Sequence, residues 1–361
     1  MPHKPSPRPL RPFAFALTLA SGAAVPSPAV PQQDTAAHQE TVPQQDTAAH
    51  QGVWLEFAWP VGLSADVETA RRIVRRGSGE DSDVTVASRY RMTVRDHPRG
   101  LAIDHTRGEV TSIEAEPELP ADHPLRALHA GLAGVDATYI VSDDGMLLAV
   151  EGVERGADAL DPDPASAAGD SVAAAPPRAL ASSQVSGGLL ESIAGEQWGA
   201  MIWFWAWEEF HADSVYSFHA ERPSPIAPGS DASFEYRVGF LRHVPCRAGD
   251  PQASCVRLEA RARPTADALE QMAEGWALAI ADGEGVGSAE ATSFDQESTF
   301  SVVLEPSTMV PHEFRMRSSI TAATTVDGTP TLDERVDETV MTFRYAGPSA
   351  VPDGEAETAQ R

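Results

Sequence analysis

Three groupings of residues in this chain could carry chemistry. Asp96-His97 and Asp104-His105 flank one turn. Brought together, two His-carboxylate pairs would suit a metal ion or acid–base work, although the same doublets serve as solvated strand ends. Glu208, Glu209, His211 and Asp213 cluster beside an aromatic run, where an unrecognised hydrolytic site would lie; they also suit the polar end of a helix. Cys246 and Cys255 bracket the eight residues "RAGDPQAS". In an exported chain this pair should form a disulfide across a hairpin loop. A zinc site would need two further ligands that the neighbouring sequence does not supply, and the spacing is not that of a C-x-x-C redox pair. No G-x-S-x-G, H-E-x-x-H or Walker A pattern occurs. The chain is therefore read as non-enzymatic, without cofactor or metal.

The aromatic run is "WGAMIWFWAWEEF", Trp198 to Phe210, with four of the seven tryptophans. Its uncharged part is too short to span a bilayer, which takes ~20 residues. As a helix from about Gly188, it places Leu190, Ala194, Trp198, Met201, Ile202 and Trp205 on one face. Trp203, Trp207 and Phe210 then form a second stripe. As a strand, Trp203, Trp205 and Trp207 would share a face. The run is either core under a sheet or an aromatic floor for an apolar ligand. In the second case Trp203, Trp207, Phe210, Trp198 and Trp205 are the ligand-binding residues.

The elements around these groups follow from composition and pattern. The chain has 361 residues, 27 basic against 53 acidic side chains and a net charge of −26. Such a balance disfavours nucleic acid and anionic lipid headgroups as partners. His3, Lys4, Arg8 and Arg11, then "FAFALTLA" and "SGAA", read as a secretory signal over residues 1–24. The expected location is periplasmic or secreted, with no transmembrane segment once the signal is removed. "VPQQDTAAHQ" occurs twice within 25–52, which reads as a disordered tail.

From 53 to 154 the pattern is β-rich. "DVTVASRYRMTV" alternates as a half-buried strand, "HPLRALHAGLAG" reads as a short helix, and "ATYIVSDDGMLLAVEG" is a hairpin about Asp144-Gly145. Residues 155–187 are an Ala/Pro/Asp-rich linker. From 188 to 346 comes a second half: the aromatic helix, "FEYRVGFLRHVPC", "CVRLEARAR", a helix over Thr265–Asp282, and the strands of Ser298–Ile320 and Asp337–Ala346. Residues 347–361 read as a disordered tail. The spacing predicts an α+β chain: antiparallel sheets in two similar halves, each strand pair–helix–strand pair, curved around helices. Tyr139–Glu151 would correspond to Phe300–Phe314 in a diverged duplication.

This strand–helix–hairpin order loosely resembles lipoprotein-carrier-like open half-barrels. "FSVVLEPSTMVPHEFRM" (Phe300–Met316) is similar to a hairpin of exported β-rich proteins of unknown function, in which a strand ends in an acidic turn and resumes after a proline. The resemblance implies an antiparallel sheet curved around a helix, with acyl chains held between them. It transfers no functional residue. The resulting expectation is an exported protein that binds a hydrophobic or amphipathic ligand. A cell-envelope structural or protein-interaction module is the second reading, and a hydrolase with an unrecognised site the third.

Overall fold

The computed structural model describes residues 52–77, 81–121, 123–153, 194–195, 197–206, 209–211, 214–223, 231–246, 254–284 and 289–345. The expected linker at 155–187 and both expected tails lie outside them. Thirteen strands are present among these residues. They are β1 (Val53–Trp54), β2 (Ser64–Arg76), β3 (Ser82–His97), β4 (Gly100–Glu116), β5 (Ala137–Val141), β6 (Leu147–Glu151) and β7 (Glu209–Phe210), then β8 (Val215–Pro223), β9 (Asp231–Pro245), β10 (Ser254–Pro264), β11 (Ala289–Leu304), β12 (Pro311–Val326) and β13 (Thr329–Tyr345). Helix α1 spans Pro124–Ala133 and helix α2 spans Ala266–Glu284.

Eleven of the strands form one antiparallel sheet in the order β6-β5-β4-β3-β2-β13-β12-β11-β10-β9-β8. The expectation of an α+β fold with a sheet in each half is thereby corrected: the chain is mostly β. The cause is the pairing of β2, the first long strand, with β13, the last, from Ala65↔Tyr345 to Arg76↔Glu334. That ladder fuses the two strand sets into one sheet. The helices lie on the sheet rather than forming a layer of their own: α1 packs on β3 and β4, and α2 mainly on β11.

Two-residue periodicity sorts the faces. Along β10, Val256, Leu258, Ala260 and Ala262 are fully buried, while Arg261 and Arg263 point outward. The outer face is a lattice of cross-strand ion pairs, including Arg91–Asp66 (2.9 Å), Arg344–Glu68 (2.8 Å), Arg263–Glu297 (3.0 Å) and Arg89–Glu109. A face so charged is unsuited to hydrocarbon, whose β-barrel partners present an apolar band. The inner face carries Val67, Met92, Ile103, Phe314, Met341 and Phe343, all in the core. Turn chemistry fits: Asp327-Gly328 joins β12 to β13 with φ of 46° and 80°, the pair of positive angles that a tight hairpin turn requires.

Candidate functional site

The aromatic run occupies one end of the inner face. Ala194, Gly195, Gln197 and Trp198 are helical, and Gly199–Trp203 is a π-turn in which the Phe204 N–H bonds Gly199 O (2.9 Å). Trp198 and Trp205 are 2% and 0% exposed. Each indole N–H is satisfied by a backbone carbonyl, Trp198 by Gly145 (2.9 Å) and Trp205 by Ala200 (2.8 Å). Trp198 packs edge-on against Trp59 (5.4 Å), Phe57 (6.1 Å) and Tyr139 of β5 (6.2 Å). At the far end of the run, Phe204 meets Phe218 of β8 and Tyr236 of β9, both at 5.5 Å. The run thus touches both ends of the sheet. Eleven flat strands would set those ends ~48 Å apart at ~4.8 Å per strand. Seven helical residues cover only ~10 Å, plus side-chain reach. The sheet must therefore be strongly curled, with the aromatic residues plugging its mouth. Trp59 pins the plug from another side, donating to Met309 O (3.0 Å) in the β11–β12 turn.

Of the five ligand-binding residues expected from sequence, Trp198, Trp205 and Phe210 are buried in this plug and Trp203 is half-buried. Trp207 lies outside the described residues, as do Glu208 and Asp213. Glu209 and His211 remain as a solvent-exposed pair 3.9 Å apart.

The Asp-His doublets do not converge. Adjacent residues on a strand face opposite sides of the sheet. Asp104 is on the outer face, where Arg95 and the Thr138 hydroxyl bond it and hold its carboxyl below the usual range. His105 faces inward, stacked between Tyr90 (4.8 Å) and Tyr139 (4.3 Å), and burial pushes its pKa down to about 4. His97 sits at the strand end, its Nδ1 accepting from the Arg99 N–H (3.2 Å). Both tyrosine hydroxyls are pushed up by burial. This stack is core, with no acid–base pair in it.

Sequence reasoning missed the other end of the inner face. There β2, β13 and β12 lie between the strands that carry α1 (β3 and β4) and the one that mainly carries α2 (β11), so they form the floor of a trough between the two helices if neither helix covers them. Register places Arg71, Ile73 and Arg75 of β2 beside Thr339, Asp337 and Arg335 of β13. Ser318 and Ile320 of β12 lie next to Asp337 and Arg335. Arg71 grips Asp337 with two bonds, Nε to Oδ1 at 3.0 Å and Nη2 to Oδ2 at 2.6 Å. Arg335 reaches the same carboxylate only at 3.9 Å, and its direct cross-strand neighbour is Arg75. Burial first, then the charges of Arg75 and Arg71, pull the Arg335 guanidinium below its usual range, with Asp337 opposing. His129 of α1 is likewise lowered, by burial and by Arg71. On the α2 side, Gln296 Oε1, Thr324 Oγ1 and Trp276 Nε1 are buried without a hydrogen-bond partner among the described residues. The inward arginines of β2, Arg71 and Arg75, are four apart among alternating residues. That signal becomes readable only once β2 is known to be an inner strand paired to β13.

The cysteines form a disulfide, with S–S 2.11 Å and Cα–Cα 4.9 Å. It lies against His312, the second residue of β12, an association that the sequence separation hides.

The described residues thus form one large antiparallel sheet and a small two-stranded one. No family model matches it, and no curated protein matches it. Among solved structures it is similar to a lipovitellin, in a structure titled for lipid–protein interactions, with 9% identity and a TM-score of 0.36. That match covers 81% of this chain and 26% of the lipovitellin chain, so this chain spans about a quarter of its length. It also resembles the β domain of the Bordetella autotransporter BrkA, with 10% identity and a TM-score of 0.19, covering 78% of this chain and 100% of that one. Both scores are too low to transfer any property. No helix among the described residues is long and apolar enough to cross a membrane.

Proposed function

We propose that this is an exported, non-enzymatic protein that binds an amphipathic ligand with an anionic head in the trough between α1 and α2, where the local charges of Arg71, Arg75 and Arg335 outweigh the repulsion that the net charge of −26 exerts on anions. The observation that carries the reading is the direct cross-strand pairing of Arg75 with Arg335 on the inner face. Like charges opposite each other on one face of a sheet are destabilising, and a bound anion between them removes that cost. Among the described residues Arg75 forms no ion pair, and Asp337 is already engaged by Arg71. Half-buried Ile73 and Ile320 beside the arginines supply apolar surface for a chain. The unpartnered atoms of Gln296, Thr324 and Trp276 supply further polar contacts. The signal-like N-terminus and the disulfide support export. In this reading Trp203 forms the end wall of the trough, while Trp198, Trp205 and Phe210 hold the plug.

Titration calorimetry with palmitate, lysophosphatidylglycerol, uncharged monopalmitoylglycerol and inorganic phosphate tests the proposal. The two anionic amphiphiles should bind at least tenfold more tightly than the neutral one and than phosphate alone. Arg75→Glu should remove that preference and leave the melting temperature near that of the parent. Equal binding of neutral and anionic lipids, or no binding of either, ends the proposal.

One observation favours the envelope-module reading. The edge strand β8 exposes Val215 and half-exposes Tyr216 and Phe218. An added strand from a partner could use that edge. Pull-down with immobilised protein carrying Val215→Lys would separate this reading from lipid binding, which the variant should leave intact.

A further inference from the structure

The β10 end of the sheet brings together three ligand atoms that the sequence keeps apart. Cys255 is the second residue of β10, Cys246 directly follows β9, and His312 is the second residue of β12. Both sulfurs and a ring nitrogen of His312 lie within 4.8 Å of one another. Cys255 is fully buried and His312 is 7% exposed.

The tautomer of His312 is set by its surroundings. Nε2 lies 3.0 Å from Glu305 Oε1. A carboxylate accepts but cannot donate, so Nε2 carries the proton, and in the neutral imidazole Nδ1 is left as the acceptor. Among the described residues, Nδ1 is buried without a hydrogen-bond partner. A buried acceptor left unmet is destabilising. Glu305 is itself fixed by the Thr308 hydroxyl at 3.1 Å. A carboxylate holding one imidazole nitrogen while the other presents a lone pair is the arrangement that orients metal-ligating histidines.

We propose that reduction of the Cys246–Cys255 bond turns this corner into a two-thiolate, one-imidazole site for a thiophilic closed-shell cation such as Zn2+. The protein would then have two states, a disulfide-stapled hairpin and a metal-stapled one. A thiol or phosphine reductant supplies the two electrons. With a phosphine and water, the S–S bond breaks, two S–H bonds form and the phosphine leaves as its oxide. Zn2+ then displaces both thiol protons and takes the Nδ1 lone pair. Three protein ligands leave a fourth position open, as in zinc sites that exchange ligands. Soft sulfur with one imidazole selects zinc or cuprous copper over calcium or magnesium.

The test uses the full chain, phosphine-reduced, with folding followed by circular dichroism. After Zn2+ loading and desalting, the reduced protein should keep about one equivalent, and the oxidised protein none. X-ray absorption of the loaded protein should show sulfur at ~2.3 Å and nitrogen at ~2.0–2.1 Å. His312→Leu should weaken retention at least tenfold, and Glu305→Gln by ~10–100-fold through loss of ring positioning. Zinc held equally by wild type and His312→Leu would show thiols of an opened chain acting alone and would overturn the site. So would a reduced, folded protein that keeps no zinc, or a coordination shell without sulfur. Should His312→Leu fail to fold, the absorption shell of the wild type decides between these outcomes.

Discussion

Replacing Trp198 with alanine tests whether the aromatic run is structural. The side chain is 2% exposed, packs on three aromatic rings and hydrogen-bonds the carbonyl of Gly145. A buried tryptophan cut to alanine costs about 3–5 kcal/mol. Leaving the Gly145 carbonyl unmet adds about 1–3 kcal/mol unless water reaches it. The sum, about 4–8 kcal/mol, rivals the whole stability of an ordinary domain, about 5–15 kcal/mol. The structure cannot relax to fill the gap, because a Cβ on Gly145 would already lie 2.9 Å from the Phe57 ring, so the turn is packed to contact. Urea unfolding followed by circular dichroism should therefore show Trp198→Ala largely unfolded at 37 °C. Trp198→Phe, which keeps a ring but loses the N–H, should fall between that variant and the parent. Trp203→Ala, at a half-buried position, should cost under about 2 kcal/mol. If Trp198→Ala stays within about 1 kcal/mol of the parent, the plug does not hold the curl. The tryptophans would then have to be explained by ligand binding instead.

Two other positions give sharp expectations. Gly108 of β4 has no room for a side chain: a Cβ would stand 1.7 Å from the carbonyl oxygen of Ala133, the last residue of α1. Gly108→Ala should therefore lift the end of α1, seen as faster amide exchange across Pro124–Ala133, and protection equal to the parent would refute that contact. His105 gives the pH dependence. Its folded pKa of about 4 lies below the unfolded value of about 6.5, so between those limits only the unfolded chain takes the proton. Stability should then fall as pH drops from about 6.5 to 4, by at most about 3 kcal/mol, and be unaffected by this group above 6.5. His105→Phe should flatten that part of the curve, and identical urea midpoint shifts in variant and parent would discount the buried histidine.

Much of the local structure was legible in the residues. The alternation in Asp83–Val94 lies within β3, the Asp144-Gly145 turn joins β5 to β6, and Thr265–Asp282 nearly matches α2. Such elements are encoded by near neighbours in the chain. What was not legible depends on distant pairing. β2 reads "SADVETARRIVRR", too charged to look like a central strand, because half its face meets the ion-pair lattice and half the polar trough. Its partner β13 lies more than 250 residues away, and nothing in either segment alone announces the match. The same holds for the trough arginines and for His312 beside the cysteines. The doublets Asp96-His97 and Asp104-His105 misled for the converse reason: nearness in sequence on a strand means opposite faces.

The β2–β13 seam also sets an order of assembly. Arg71 and Asp337, 266 positions apart, meet at the middle of the sheet rather than at its rim. Until the last long strand has emerged, β2 and β12 each present a naked edge of backbone donors and acceptors, the surface on which chains stick to one another. Closing so long a loop is slow. A ribosome-bound chain therefore holds two unfinished sheets, and the seam forms only after β13 arrives. A frameshift or protease cut that removes β13 would not trim the protein at its margin. It would split the sheet down its centre and free both edges at once, so loss of this one strand should lead to aggregation rather than to a shortened, soluble fold.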